Sequence, residues 1–239
     1  MIDASQNTSW RLILESCDPA SDVARAAMED FARVYWLPVY GHVRRRTGDP
    51  ERALDLTQEF FATWFEKRWA DAADPARGRF RTFLFVVLDR FLSGRHDHEQ
   101  AAKRGGGLTR VPLDAVTAER LLAGPDDAGR SPADAFTQRW ALALLRECLD
   151  CLRESLSSGR KSVHYQIFVR FYELDSRARP ADYPTLAREF GVSESDITNT
   201  LHRARADFRR LLEERILRSV ESPSEVRAEI DELFRSLSC

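Results

Sequence analysis

Apolar residues recur at three- and four-residue intervals along most of this chain, and no stretch shows sustained two-residue alternation. That periodicity predicts helices throughout. A first helix starts after Ser21 or Asp22, either of which can cap it, and carries Val23, Ala27, Phe31, Val34 and Tyr35 on one face. Pro38 predicts a break at Leu37 and a short second helix through Arg46, because proline lacks the amide donor and crowds the preceding turn. Thr47-Gly48-Asp49-Pro50 reads as a turn. Leu56, Phe60, Phe61, Trp64 and Phe65 define a helix over Glu51–Trp69. Phe80, Phe83, Leu84, Val87, Leu88, Phe91 and Leu92 define another over Arg79–His98. From Gly105 to Pro132 glycines, prolines and Asp126-Asp127 accumulate, which predicts a flexible linker. Helical spacing resumes at Ala133 to about Leu156 and again over Val163–Tyr172. The predicted class is all-α: two small helical domains, 21–104 and 133–220, joined by the linker 105–132. An amphipathic tail helix lies within 221–239, with Val226, Ile230, Leu233, Phe234 and Leu237 as its apolar positions.

Tyr183–Arg205 is the most structured stretch to the eye. Leu186, Ala187 and Phe190 make one apolar face, and Gly191 supplies the positive φ that a helix end needs. Ser193 can cap the next helix, with Asp196 three residues on as in a capping box. Ile197, Leu201, Ala204 and Phe208 then form an inward stripe. The opposite face offers Ser195, Thr198, Asn199, His202 and Arg203, groups that can hydrogen-bond to base edges and phosphates in a major groove. The pattern predicts a helix-turn-helix.

Net charge is −2 in 239 residues, so overall charge does not point to nucleic acid; its distribution is more informative. Arg77–Arg110 holds eight basic residues against Asp89, Asp97 and Glu99. Ile197–Arg218 holds six arginines against Asp207, Glu213 and Glu214. Two basic segments in a mildly acidic chain suit one polyanion gripped at two places. Cys148 and Cys151 form a C-x-x-C within a helix, without a second ligand pair at zinc spacing, so no metal and no cofactor are expected. The five histidines are scattered and read as surface residues. No phosphate-binding loop, nucleophile elbow or H-E-x-x-H is present, which leaves an enzyme reading and a small-molecule substrate without residues to support them. The absence of a long apolar run predicts no membrane span, and the lack of a signal-like N-terminus predicts a cytoplasmic protein.

Asp55-Leu56-Thr57-Gln58-Glu59-Phe60-Phe61, followed by Arg79-Phe80-Arg81-Thr82-Phe83-Leu84, resembles the second conserved region of the sigma-70 family, most of all its extracytoplasmic-function group. Leu201-His202-Arg203-Ala204-Arg205 is similar to the end of that group's fourth region. The resemblance implies a sigma factor. Residues 21–104 would bind core RNA polymerase and hold the promoter's −10 element, and residues 133–220 would read the −35 element. It places polymerase contacts at Asp55, Gln58, Glu59, Ala62, Thr63 and Glu66. It places −10 contacts at Arg79, Arg81, Arg90, Arg95, His96, Lys103 and Arg104, since the aromatics of that helix are spaced as core. It places −35 contacts at Ser195, Thr198, Asn199, His202 and Arg203.

Two departures from the family pattern change the expectation. Where the family carries acidic residues before D-L-x-Q-E, this chain has Arg52-Ala53-Leu54, so the docking face loses negative charge. Phosphorylation of Thr63 by a Ser/Thr kinase would restore it, with Thr57 as the second candidate although it falls nearer the buried face. The recognition helix has Thr198-Asn199-Thr200 where basic residues are usual, which predicts weaker phosphate contact. Expected partners are core RNA polymerase and promoter DNA, with a kinase or an anti-sigma regulator besides. Two other readings fit the helix-turn-helix alone. One is a stand-alone regulator binding duplex operator DNA as a dimer. The other is a helical adaptor that never touches DNA. The tail helix is expected either to fold onto the C-terminal domain or to bind a regulator.

Overall fold

In the computed structural model, the structure describes residues 22–72, 79–99, 129–156, 161–172, 181–217 and 223–238, with Glu119, Leu122 and Val220 besides. Among these residues there is no strand. Eight α-helices carry the fold: α1 Asp22–Thr47, α2 Pro50–Glu66, α3 Phe80–Glu99, α4 Pro132–Ser155, α5 Lys161–Tyr172, α6 Tyr183–Phe190, α7 Glu194–Leu217 and α8 Val226–Leu237. The protein is all-α. Its contacts divide it into two compact units, one of Met1–Ala143 with Ile216–Cys239 and one of Leu144–Arg215.

The first unit is an aromatic core wrapped by α1, α2 and α3. α1 runs unbroken through Pro38, against the expected break at Leu37. An internal proline costs about 3 kcal/mol. Here Phe31, Val34, Tyr35, Trp36, Val39, Tyr40 and Val43 around it are all buried, and each large apolar side chain taken from water contributes about 1.5–3 kcal/mol. Packing therefore outweighs the lost hydrogen bond. Asp49 caps α2, its side chain accepting from the Arg52 amide at 3.0 Å, and Pro50 opens the helix. α2 ends three residues before Trp69, sooner than its apolar spacing predicts. Arg68 takes φ 48°, which leaves the α-helical basin, and Trp69–Ala72 continues as a 3₁₀ turn. Phe31 stacks on Trp64 at 5.6 Å and meets Phe61, Phe65 and Phe80 edge-on. Phe83 and Phe91 of α3 join the same cluster through Trp64 and Phe60.

Ser131 caps α4, its Oγ accepting from the Asp134 amide at 3.1 Å and donating to the Asp134 carboxylate at 2.6 Å. Pro132, a breaker by composition, is the first residue of that helix, where a missing amide costs nothing. Most of the predicted linker 105–132 lies outside the described residues. Of those described, Glu119 accepts from Tyr40 at 2.8 Å and from Arg44 at 2.9 Å, and so fastens to α1. α8 belongs to this first unit, not to the unit that holds α5 and α6. It buries Leu233 and Glu229 and leaves Phe234 half exposed.

The second unit packs Leu152, Ile167, Phe168, Ala181, Leu186, Ile197, Leu201 and Ala204 into one core. A buried pair, Arg215 and Glu147 at 2.9 Å, closes its edge.

Candidate polymerase- and nucleic-acid-binding surfaces

α2 sorts its residues cleanly. Ala53, Leu56, Thr57, Phe60, Phe61 and Trp64 face the core. Asp55, Gln58, Glu59, Ala62, Thr63 and Glu66, three and four apart on the other side, all keep contact with solvent. Thr63 is half-buried and its hydroxyl donates to the Glu59 carbonyl at 2.8 Å. Thr57 has no exposed surface, and its hydroxyl donates to the Ala53 carbonyl at 2.7 Å. A kinase cannot reach it in this fold, so Thr57 drops out as a phosphorylation candidate. Glu59 is ion-paired with Arg95 of α3, whose guanidinium also lies 5.6 Å from the Phe91 ring. Of the three carboxylates on this face, Asp55 and Glu66 thus stand without an ion-pair partner among the described residues.

The basic residues of α3 do not share one environment. Arg90 is exposed. Arg79 is partly exposed, its Nε 3.1 Å from Glu229 and its Nη1 3.4 Å from Glu232. Arg81 is buried, ion-paired with Glu229, and its guanidinium sits 4.6 Å from the Trp140 ring centroid. Burial pulls the Arg81 pKa down to about 10, with Arg79 as a lesser cause. As folded here, Arg81 offers no surface to a ligand. The His96 side chain, Lys103 and Arg104 lie outside the described residues. Phe80, Phe83 and Phe91 make ring contacts in the core, as their spacing predicts.

His42 corrects the reading of every histidine as a surface residue. It is buried on α1, edge-on to Phe85 and 3.5 Å from Asp89. Burial lowers its pKa more than Asp89 raises it, so it is held neutral. Asp89 also receives Arg46 at 3.0 Å. Cys148 is buried, which pushes its thiol up to about 12. Among the described residues, no group of three or more His, Cys, Asp and Glu gathers as a metal site would.

In the second unit, α6, a three-residue turn and α7 follow one another with a cap at each junction. Asp182 accepts from the Thr185 amide at 2.9 Å and Gly191 takes φ 65°. Ser193 and Asp196 cap α7 reciprocally: the serine Oγ accepts from the Asp196 amide at 3.1 Å, and the Ser193 amide donates back to the carboxylate at 3.2 Å. Hydrogen bonds from Thr185 and from Ser193 hold the Asp182 and Asp196 carboxyls below the usual range. Ile197, Leu201 and Ala204 are buried, while Ser195, Thr198, Asn199, His202 and Arg203 are all exposed along one side of α7. Thr198 Oγ1 donates to the Glu194 carbonyl. Arg205 is pinned instead: its Nε donates to the Tyr172 hydroxyl at 2.7 Å, and its guanidinium lies over the Phe171 and Tyr172 rings.

The layout of α1, α2 and α3 has a counterpart among known families. Residues 32–93 match the family of sigma-70 region 2. That stretch is similar to sigma-70 region 2 over about a quarter of the chain. The match runs from within α1 across all of α2 and through most of α3. Sigma-70 region 2 belongs to transcription initiation factors, not to enzymes, and implies binding to RNA polymerase and promoter recognition. No curated protein and no solved structure matches the chain. No helix among the described residues is long and apolar enough to cross a membrane.

Two features around α2 and α3 escape the sequence reading: the Arg95–Glu59 pair and the seating of α8 against Arg79 and Arg81. Both carry a trace in the sequence. Glu229 stands on the apolar stripe of the tail, between Val226 and Leu233, and Arg81 stands on the Leu84–Leu88–Leu92 stripe of α3. A charge on a buried stripe needs a partner of opposite sign.

Proposed function

We propose that the protein is a cytoplasmic sigma factor of the extracytoplasmic-function group. In this reading α2 docks on core RNA polymerase, α3 holds the −10 element, and α6 and α7 form a helix-turn-helix that reads the −35 element. The observation that carries it is the region 2 match over residues 32–93. The capped, polar face of α7 supports the −35 role. Asn199 suits a bidentate contact with adenine, and Arg203 a guanine or a phosphate. Arg90 is exposed on α3, and Arg79 and Arg95 are partly exposed beside ion-pair partners, so these are the cations proposed to meet a DNA backbone.

Docking is switched by charge. The α2 face carries Arg52 beside Asp55, and Arg95 neutralises Glu59. A phosphate on Thr63 would add about −1.5 to −2 charge between Glu59 and Glu66, in place of the carboxylates that the family motif has and this chain lacks. A Ser/Thr kinase is the partner this requires; an anti-sigma regulator is the alternative control. The test measures affinity for core polymerase with wild type, Thr63→Ala and Thr63→Glu, with and without kinase treatment, followed by run-off transcription. Kinase-treated wild type and Thr63→Glu should bind tightly, and Thr63→Ala should not. Equally tight binding by untreated wild type and Thr63→Ala would refute the switch. Absence of promoter-specific transcripts from every form would refute the sigma reading.

A further inference from the structure

α8 is seated more by charge than by apolar contact. Its one fully buried apolar side chain is Leu233. Val226, Ile230 and Leu237 are half-buried, and Phe234 faces solvent. Its N-cap, Glu225, makes no side-chain capping bond. Against this light anchoring stand Glu229, paired with both Arg79 and Arg81, and Glu232, paired with Arg79. Two carboxylates one helical turn apart thus engage the two arginines that open α3, much as two neighbouring phosphates would.

We propose that the helix Val226–Leu237 is an acidic cover: Glu229 and Glu232 occupy Arg79 and Arg81 in place of nucleic-acid phosphates, and single-stranded DNA competes with the helix for the arginine pair. This rests on the reading of α3 as a DNA-holding helix. It explains why a region 2 arginine, Arg81, is buried under an element that follows the second unit in the chain. The cover is tethered, so its local concentration is high, and DNA gains the pair only by displacing it. Once α8 lifts, Arg81 regains water and becomes a phosphate ligand beside Arg79.

The test compares full-length wild type with Glu229→Gln/Glu232→Gln in binding a short fluorescein-labelled single-stranded oligonucleotide, by anisotropy over a salt series. The double variant should bind about tenfold more tightly. Its salt slope should steepen by about 1.4, the value for two further phosphates on a single strand. Adding Arg79→Ala to the double variant should cancel most of the gain. In wild type, saturating oligonucleotide should speed amide exchange along Val226–Leu237. No gain in the double variant, a gain that survives Arg79→Ala, or unchanged exchange in α8 when DNA is bound would each overturn the proposal. Should the double variant fail to fold, the exchange measurement on wild type decides alone. Faster α8 exchange on adding core polymerase without DNA, and none with DNA, would overturn it in favour of a protein competitor. Run-off transcription judges the sigma reading separately: active polymerase complexes with no DNA–α8 competition sink only the cover.

Discussion

The pair between Arg81 and Glu229 makes a quantitative prediction. Both side chains are buried, and each is expensive to strand. Replacing Glu229 by Leu leaves the Arg81 guanidinium without its carboxylate, against Trp140. Loss of one member of a buried pair costs about 3–5 kcal/mol, and less if α8 lifts to let water reach the cation. Replacing Arg81 by Met is milder. Glu229 keeps Arg79 at 3.1 Å, and Arg79 is partly hydrated. The loss is then mainly the contact with Trp140, about 1–2 kcal/mol. The double variant Arg81→Met/Glu229→Leu removes both charges and should return near wild-type stability, so the coupling is at least ~3 kcal/mol. The four described tryptophans, Trp36, Trp64, Trp69 and Trp140, all belong to the first unit. Urea unfolding followed by tryptophan fluorescence therefore reports on this unit. Two results would refute the reasoning: Arg81→Met costing more than Glu229→Leu, or a double variant as unstable as the two singles added.

Other perturbations have equally definite outcomes. Gly191→Ala forces a side chain into φ 65° and should cost about 1–2 kcal/mol, read as a lowered midpoint in thermal unfolding by circular dichroism. Below pH 4 the caps of α6 and α7 should weaken. Asp182 and Asp196 have pKa values depressed from 3.8, so their contribution is present above that value and lost as pH falls through the lower, folded one; Asp196→Asn should flatten this dependence in an acid titration of helicity. His42 acts in the same direction at higher pH. Its folded pKa lies below 6.5, so the unfolded chain binds the proton first and stability falls as pH drops below 6.5; His42→Leu should remove that slope in urea midpoints. Arg203→Ala should lower promoter affinity and reduce the salt slope by about one, and Asn199→Ala should relax base preference at one −35 position, both measured by competition binding.

The parts of the fold legible in the sequence are those written in local chemistry. Gly191 and Ser193–Asp196 mark the turn between α6 and α7 because left-handed backbone and a reciprocal cap each demand particular residue types at fixed offsets. The inward stripe Ile197–Leu201–Ala204 is equally local. What local rules miss is settled by distant packing. Pro38 breaks no helix because aromatic residues from α2 and α3 compensate it, and no window around Pro38 contains them. The end of α2 depends on the backbone of Arg68, a residue type that carries no turn signal. Arg81 stands on an apolar stripe, but what it meets there, Trp140 of α4 and Glu229 far along the chain, is not legible locally. The six positions on the outer face of α2 are legible as a face; that Arg95 takes one of its carboxylates is not.

That last pair has a thermodynamic consequence. Arg95 sits on the helix that carries the arginines, and Glu59 on the helix with the open carboxylates, so one ion pair spans the two faces proposed to bind DNA and polymerase. A ligand that claims Glu59 frees Arg95, and an anion that claims Arg95 frees Glu59. By linkage each event must assist the other by the same factor. The pair is partly exposed, so its worth is at most about 1 kcal/mol, which caps that mutual assistance at roughly fivefold. If both proposed surfaces bind, they share one small reservoir of free energy, and a ligand that breaks the pair at one raises affinity at the other.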